Sequence, residues 1–148
     1  MSSQLLLRLT GPLDQLRLCW QAGETMLESV PFEVDPECTR YNVLLALQEM
    51  VTNVLRHAYE GNEQKPIEVM FTVRDEAFEM ELRDQGPAFD PLQHDVATLL
   101  QETAMPTAAG GFGIHIARLV MDEVAYERRD GWNVLRMTKL VQAPTGAN

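Results

Sequence analysis

The stretch Leu47–Gly61, LQEMVTNVLRHAYEG, decides how the rest of the chain is interpreted. Its apolar residues recur at helical spacing and a glycine closes it, which predicts one amphipathic helix. Three polar residues, Glu49, Asn53 and His57, follow one another at intervals of four within it. Residues four apart share one face of a helix, so these side chains are expected to project from a common strip. Such a strip is either the solvated side of an ordinary helix or part of a functional site.

Around this stretch, the pattern of apolar residues predicts three main helices and five strands. Asp35 and Pro36 suit the N-cap and first position of the helix that ends near Tyr59. The other predicted helices are Leu13–Leu27, a segment from Phe112 to about Val124, and a short one near Val96–Gln101. The predicted strands are Gln4–Leu9, Lys65–Val73, Ala77–Asp84 and the two arms of a hairpin turning at Asp130-Gly131.

Paired strands and grouped helices predict an α+β fold. We expect a two-layer α/β sandwich, with a mostly antiparallel mixed sheet and helices on one face. The 148 residues suit a single domain, 1–148, in which residues from about 141 form a disordered tail.

Composition narrows the classes of partner. The net charge of −10 is spread along the chain, which argues against nucleic acid because its phosphates would be repelled. No apolar run is long enough to predict a membrane span. Cys19 and Cys38 lie far apart and outside any CxxC motif, as in a reducing compartment, so we expect a cytoplasmic protein.

A second candidate motif is RDQGPAFDP, Arg83–Pro91. Asp84 stands at a predicted strand end, where its carboxylate could accept a hydrogen bond from an exocyclic amine such as that of adenine. Gly86 would let a flat base approach the backbone. Taken alone, the same residues also suit an ordinary turn.

A third candidate motif is TAAGGFGIHIARL, in which Gly110, Gly111 and Gly113 precede or open a helix. Loop amides and a helix N-terminus together can hold phosphate oxygens. The alternative is a flexible loop that leads into a helix. The motif is neither a P-loop nor a Rossmann fingerprint, since no GK[ST] follows and no first strand precedes it.

In this order and spacing, the three motifs resemble the GHKL ATPase superfamily, and within it the anti-sigma-factor serine kinases. The resembling segments are QEMVTNVLRHAYEG, RDQGPAFDP, GGFGIHIARLVMDEV and LRMTK, spread from about Leu5 to Leu140. The resemblance implies the GHKL (Bergerat) form of the two-layer sandwich, with ATP and Mg²⁺ as cofactors.

The resemblance also implies a role for each matching residue. Glu49 would be the catalytic base, Asn53 the metal ligand on the ATP phosphates, and Asp84 the acceptor for the adenine amino group. Cofactor-binding roles would further fall to His57, Gly86, Gly110, Gly111, Gly113 and Thr138, with Arg56 near the phosphates and a lid over roughly Pro91–Ala109. Ala88 departs from the family's pattern, which often has a second glycine there.

The function implied is an ATP- and Mg²⁺-dependent protein serine kinase in a partner-switching system. Its substrate would be a serine on a STAS-domain anti-anti-sigma factor, and its other target a sigma factor or another regulator; a homodimer is also implied. The alternative from another class is a non-catalytic, nucleotide-dependent binding module that sequesters a regulatory partner. A hydrolase of the DNA-repair or topoisomerase type is disfavoured by the acidic charge and the absence of a transducer domain.

Overall fold

The five strands form one continuous antiparallel sheet. The computed structural model describes residues 1–60, 62, 64–90, 92 and 111–142, with only the backbone of His57, Gly111 and Phe112. The strands are β1 (Ser3–Leu9), β2 (Ile67–Val73), β3 (Ala77–Asp84), β4 (Glu123–Arg129) and β5 (Trp132–Leu140). Their order across the sheet is β1-β2-β3-β5-β4, and each neighbouring pair is antiparallel. The predicted α+β two-layer fold is confirmed, although the prediction allowed for a mixed sheet and the described strands form no parallel pair.

Side-chain caps start the first two helices. Helix α1 covers Gln15–Leu27, and the Asp14 carboxylate accepts the backbone N–H of Arg17 at 3.1 Å. Helix α2 covers Pro36–Asn53, and the Asp35 carboxylate accepts the N–H of Cys38 at 3.4 Å, as its sequence position predicts.

Helix α2 does not continue as a regular helix to Tyr59. A π-helical turn, Val54–Ala58, follows Asn53 directly, and the Tyr59 N–H closes it on the Val54 carbonyl at 2.9 Å. Single π turns within helices occur frequently at functional sites.

Helix α3 covers Gly111–Val120 and leads through Met121-Asp122 into β4. The prediction extended this helix to about Val124, but the strand already begins at Glu123. The predicted short helix near Val96–Gln101 and the tail from residue 143 lie outside the described residues.

The hydrophobic core lies between one face of the sheet and the helices. Its largest fully buried side chains come from both layers: Leu27, Val43, Leu47, Val51, Val69, Phe71, Phe78, Met80 and Met137. Gly23 allows α1 to approach closely, because a Cβ there would lie 3.0 Å from the Leu44 side chain on α2. This packing holds α2 against the sheet, which fixes the position of the Leu47–Gly61 motif.

The opposite face of the sheet carries a row of alternating charges, which we call the charged row: Arg8, Glu68, Arg83, Glu81 and Arg136. Glu68 contacts Arg8 at 2.6 Å and Arg83 at 3.6 Å, while Glu81 pairs with Arg83 and, at 3.1 Å, with Arg136. The row crosses β1, β2, β3 and β5. Within the described ranges, no helix is both long and apolar enough to cross a membrane.

Candidate functional site

Asp84 ends β3, and two donors hold one of its two carboxylate oxygens. The side chain is buried, and Oδ1 accepts the Gly86 N–H at 2.8 Å and the Asn133 amide at 3.0 Å. Oδ2 has no hydrogen-bond partner among the described residues. Within the described residues the carboxylate is therefore held in place through Oδ1 alone.

The final hairpin clamps the loop that follows Asp84. The Asn133 amide also donates to the carbonyl oxygens of Gly86, at 3.3 Å, and Pro87, at 3.0 Å. Its own oxygen accepts from the Tyr126 hydroxyl at 2.6 Å and from Arg128 at 3.1 Å, and Arg128 reaches the Gly86 carbonyl at 2.7 Å. The sequence-based prediction missed Asn133 and Arg128. One signal was available in the sequence. Asparagine is disfavoured in strands, yet Asn133 alternates with the apolar Leu135 and Met137 and so shares their face of β5.

Gly86 is held between the Asp84 carboxylate and the end of the π turn. A Cβ at this position would lie 2.7 Å from the Ala58 Cβ and 2.9 Å from Asp84 Oδ1. Contacts this short do not occur in relaxed structures, so only glycine fits without moving the loop or the helix. The structure thus brings the end of the Leu47–Gly61 motif against the Asp84 motif.

Glu49 and Gly113 are in contact where α2 meets α3. A Cβ at Gly113 would lie 2.9 Å from the Glu49 Cβ and 3.1 Å from its Oε2, with the Met50 methyl group at 3.4 Å. Gly113 belongs to the first turn of α3, where backbone N–H groups are free of helical partners and the helix dipole favours negative charge. A carboxylate and a helix N-terminus therefore share one small region.

Asn53 lies one helical turn after Glu49 and closes α2. It is half-buried on the same strip of the helix, while Arg56 in the π turn is exposed. Gly111 opens α3, whereas Gly110, the His57 side chain and the predicted lid, apart from Leu92, lie outside the described residues. No group of three or more His, Cys, Asp or Glu side chains in the described part of the chain could hold a metal ion.

Thr138 is not brought to Asp84. In the β3–β5 ladder Asp84 pairs with Asn133, and Thr138 pairs with Glu79. Five residues separate Asn133 from Thr138, or roughly 16 Å along a strand, and an odd separation places them on opposite faces of the sheet. Asn133, and not Thr138, is therefore the β5 residue that lies beside Asp84.

Comparison with known proteins identifies a family from the sequence. A family model described as "Histidine kinase-like ATPase domain" matches residues 13–139. The chain is 32% identical over 101 residues to the serine/threonine-protein kinase BtrW of Bordetella bronchiseptica, covering 67% of this chain and 69% of that protein. It is 32% identical over 98 residues to the serine-protein kinase RsbW of Bacillus velezensis, covering 64% of this chain but only 61% of that protein.

The solved structures that resemble this chain support the fold alone. The catalytic domain of the histidine kinase ThkA superposes with a TM-score of 0.56 at 14% identity, covering 94% of this chain and 99% of that domain. A histidine kinase domain from the blue-light activated kinase of Erythrobacter litoralis gives a TM-score of 0.54 at 15% identity, covering 85% of this chain and 59% of that one.

Proposed function

This chain belongs to the family of histidine kinase-like ATPase domains, and on that premise we propose that it is an ATP- and Mg²⁺-dependent protein serine kinase of the anti-sigma type. The observation that carries the proposal is the contact between Glu49 and Gly113. It puts a carboxylate beside the helix terminus at which the phosphates of ATP would be held. The relatives BtrW and RsbW, both named as serine or serine/threonine kinases, support the same reaction.

Adenine would be recognised at the Asp84 loop, Asp84–Pro87. Oδ2 of Asp84 would accept the exocyclic amino group of the base, while Gly86 and Asn133 hold Oδ1 in place. The clamp by Asn133 and Arg128 keeps the loop in the conformation that presents this oxygen. A pre-formed acceptor of this kind gives specificity, because a base without the donor would leave a largely buried carboxylate unpaired.

The phosphates would lie between α2 and the start of α3, near Gly110, Gly111 and Gly113. The Asn53 side chain offers an amide carbonyl oxygen, the hard donor that Mg²⁺ prefers, and its half-buried place on the Glu49 strip fits that role. When bound, Mg²⁺ would neutralise charge on the phosphate oxygens. His57 and Arg56 would add to this charge balance in the proposed site.

Glu49 would act as the general base. Its carboxylate would take the proton of the attacking serine hydroxyl as the bond from the serine oxygen to the γ-phosphorus forms. The bond from that phosphorus to the bridging oxygen of ADP breaks in the same transfer, so that the products are phosphoserine and ADP. Positioning and charge stabilisation by the chain's own groups would supply most of the rate enhancement.

The substrate we propose is a serine on a STAS-domain anti-anti-sigma factor, with a sigma factor or another regulator as the alternative binding partner. A homodimer and a cytoplasmic location belong to the same proposal. The support is the family resemblance together with the relatives named RsbW, of which this chain spans less than two thirds.

Phosphotransfer with labelled ATP, Mg²⁺ and a cognate STAS-domain protein tests the proposal. The matched variants are Glu49→Gln, which keeps the shape of the side chain, and Glu24→Gln on the exposed side of α1. We expect Glu49→Gln to bind ATP normally but to transfer label at least about 100-fold more slowly, and Glu24→Gln to match the wild type. Absence of transfer to a verified partner would favour the non-catalytic binding module instead, whereas transfer at the wild-type rate by Glu49→Gln would contradict the role of Glu49 as general base.

A further inference from the structure

The Tyr59 hydroxyl bridges the two chain segments that flank the β2–β3 ladder. Tyr59 directly follows the π turn, and its side chain is only 4% exposed. Its hydroxyl donates to the Pro66 carbonyl oxygen at 2.5 Å and accepts the Gln85 N–H at 2.6 Å. Pro66 immediately precedes β2, and Gln85 immediately follows β3 and Asp84.

The hydroxyl occupies the place of the next ladder pair. The register of β2 and β3 ends at Ile67 opposite Asp84, so Pro66 would be opposite Gln85 if the ladder continued. Proline has no N–H to offer such a pair. The Tyr59 oxygen instead lies between the Gln85 N–H and the Pro66 carbonyl and satisfies both groups. The ladder therefore ends directly after Asp84, and the backbone is free to turn into Gly86.

The π turn ends directly before this tyrosine. Ala58, the last residue of the turn, lies against Gly86, and the Tyr59 ring is buried beside it in the hydrophobic core. A phenylalanine would fill the same volume, so core packing does not require the hydroxyl.

The Tyr59 hydroxyl has a raised pKa. Burial and the nearby Asp84 charge raise this pKa, while the hydrogen bond from the Gln85 N–H lowers it by less. The hydroxyl therefore stays protonated near neutral pH and can donate to Pro66.

We propose that the Tyr59 hydroxyl is a positioning group for base recognition: by fixing the Gln85 backbone it holds the Asp84 carboxylate so that Oδ2 meets the amino group of adenine. This inference rests on the proposed function, since it takes ATP as the ligand. It links the helix that carries Glu49 and Asn53 to the specificity of the base site through a single buried oxygen.

The test compares ATP with inosine triphosphate, which has a carbonyl oxygen where ATP has the amino group. For Tyr59→Phe we expect the Kd for ATP to rise about three- to tenfold, because the hydrogen bond between the adenine amino group and Asp84 is lost. We expect the Kd for inosine triphosphate, which lacks that amino group, to change less than about twofold. The ratio of the Kd for inosine triphosphate to the Kd for ATP then falls by about the factor by which the Kd for ATP rises. Partial unfolding would raise both Kd values equally, so the ratio remains informative even if the variant is less stable.

Tyr41→Phe is the matched control, because the Tyr41 side chain is exposed on α2 and lies at the edge of Trp20, far from the Asp84 loop.

A second measurement needs no nucleotide. Hydrogen exchange of the Gln85 and Gly86 amides should be faster in Tyr59→Phe than in the wild type, while exchange at Met80 in the middle of β3 should be unchanged.

Two results would overturn the inference while leaving the proposed function intact. One is an unchanged ratio of the two Kd values in Tyr59→Phe when the wild type prefers ATP. The other is unchanged exchange at Gln85 and Gly86. A folded wild-type protein that binds neither nucleotide would instead refute the proposed function itself, and the positioning role with it.

Discussion

Asn133 donates its side-chain amide to Oδ1 of Asp84 across the β3–β5 ladder, at 3.0 Å. The same amide reaches the carbonyl oxygens of Gly86 and Pro87, so one side chain holds a carboxylate and the loop that follows it. Oδ1 of Asp84 thereby has two donors among the described residues, and Oδ2 has none. The position of this carboxylate depends on a residue that the motif-based assignment did not include.

Replacement of Asn133 by alanine is expected to weaken both the fold and nucleotide binding. The change removes two donors from the Asp84 loop and leaves the Tyr126 hydroxyl and Arg128 without their shared acceptor. Loss of buried partners costs about 1–3 kcal/mol, which urea denaturation would measure. Asn42→Ala is the control, since the one hydrogen bond of the Asn42 amide to a described residue is to the exposed Cys38 sulfur, at 3.6 Å. Equal effects of the two variants would contradict the clamp.

Gly113→Ala is expected to slow phosphotransfer. The new methyl group would meet the Glu49 Cβ at 2.9 Å and must push α3 or the carboxylate aside. Overpacking costs about 1–3 kcal/mol, against a gain of about 1 kcal/mol because alanine is the better helix former, so we expect a net loss of stability of about 0–2 kcal/mol. Measurements of the phosphotransfer rate and of the denaturation midpoint of Gly113→Ala together check this prediction.

Gly131→Asn supplies the matched control for that variant. Gly131 has φ of +84° in the hairpin turn, nothing lies within 4 Å of its added Cβ, and asparagine tolerates this left-handed conformation. The control should transfer phosphate at the wild-type rate. A Gly113→Ala protein that did the same would show that the contact with Glu49 has no bearing on the reaction.

Glu81→Gln is expected to lower stability in a pH-dependent way. Burial by itself raises the pKa of Glu81, but the hydrogen bonds and charges of Arg83 and Arg136 outweigh it and hold the pKa below the ordinary 4.5. A lowered pKa in the folded state means that the carboxylate stabilises the fold fully above about pH 4.5 and progressively less as the pH falls through the folded value. We expect a loss of about 1 kcal/mol at neutral pH.

The difference between wild type and Glu81→Gln should shrink in acid and in high salt, as denaturation curves at several pH values would reveal. Glu24→Gln, with an exposed side chain on α1, should show no such pH dependence. A constant difference from neutral pH down to acid would mean that the charged row does not stabilise the sheet in this way.

The two thiols are expected to react at very different rates in the native protein. Burial raises the pKa of Cys19 to about 12, so near pH 8 it stays protonated and the reactive thiolate is scarce. Cys38 is exposed in the first turn of α2. A thiol-specific chromogenic reagent should therefore find one fast thiol per chain, lost in Cys38→Ser, and a second only on unfolding. Two thiols of equal reactivity in the folded wild type would contradict the buried position of Cys19.

Local sequence patterns were sufficient for most of the fold. Alternation in Ile67–Val73 and Ala77–Asp84 predicted their hairpin, and Asp130-Gly131 predicted a tight turn that both residues make with positive φ. The π turn was not predictable in this way. Its hydrogen bonds span five residues where those of an α-helix span four, and it has no distinctive composition.

The site was less predictable where it depends on register and distant partners. Val134 and Leu135 are both apolar, so alternation did not reveal which face of β5 holds Thr138 and which holds Asn133. The partner of Asn133 lies 49 residues away, and no local rule pairs them. The juxtaposition of Glu49 with Gly113 likewise follows from packing of α2 against α3, which the spacing of glycines does not specify.

Calorimetric titration of the folded protein with ATP and Mg²⁺, at two temperatures, tests the central claim most directly. We predict saturable binding at one site per chain, weakened at least about tenfold in Asp84→Asn. That variant must keep its carbonyl oxygen toward the Gly86 and Asn133 donors, so its amide NH₂ would oppose the adenine amino group and should favour inosine triphosphate instead. No heat of binding at either temperature, or equal ATP affinity in wild type and Asp84→Asn, would contradict the account.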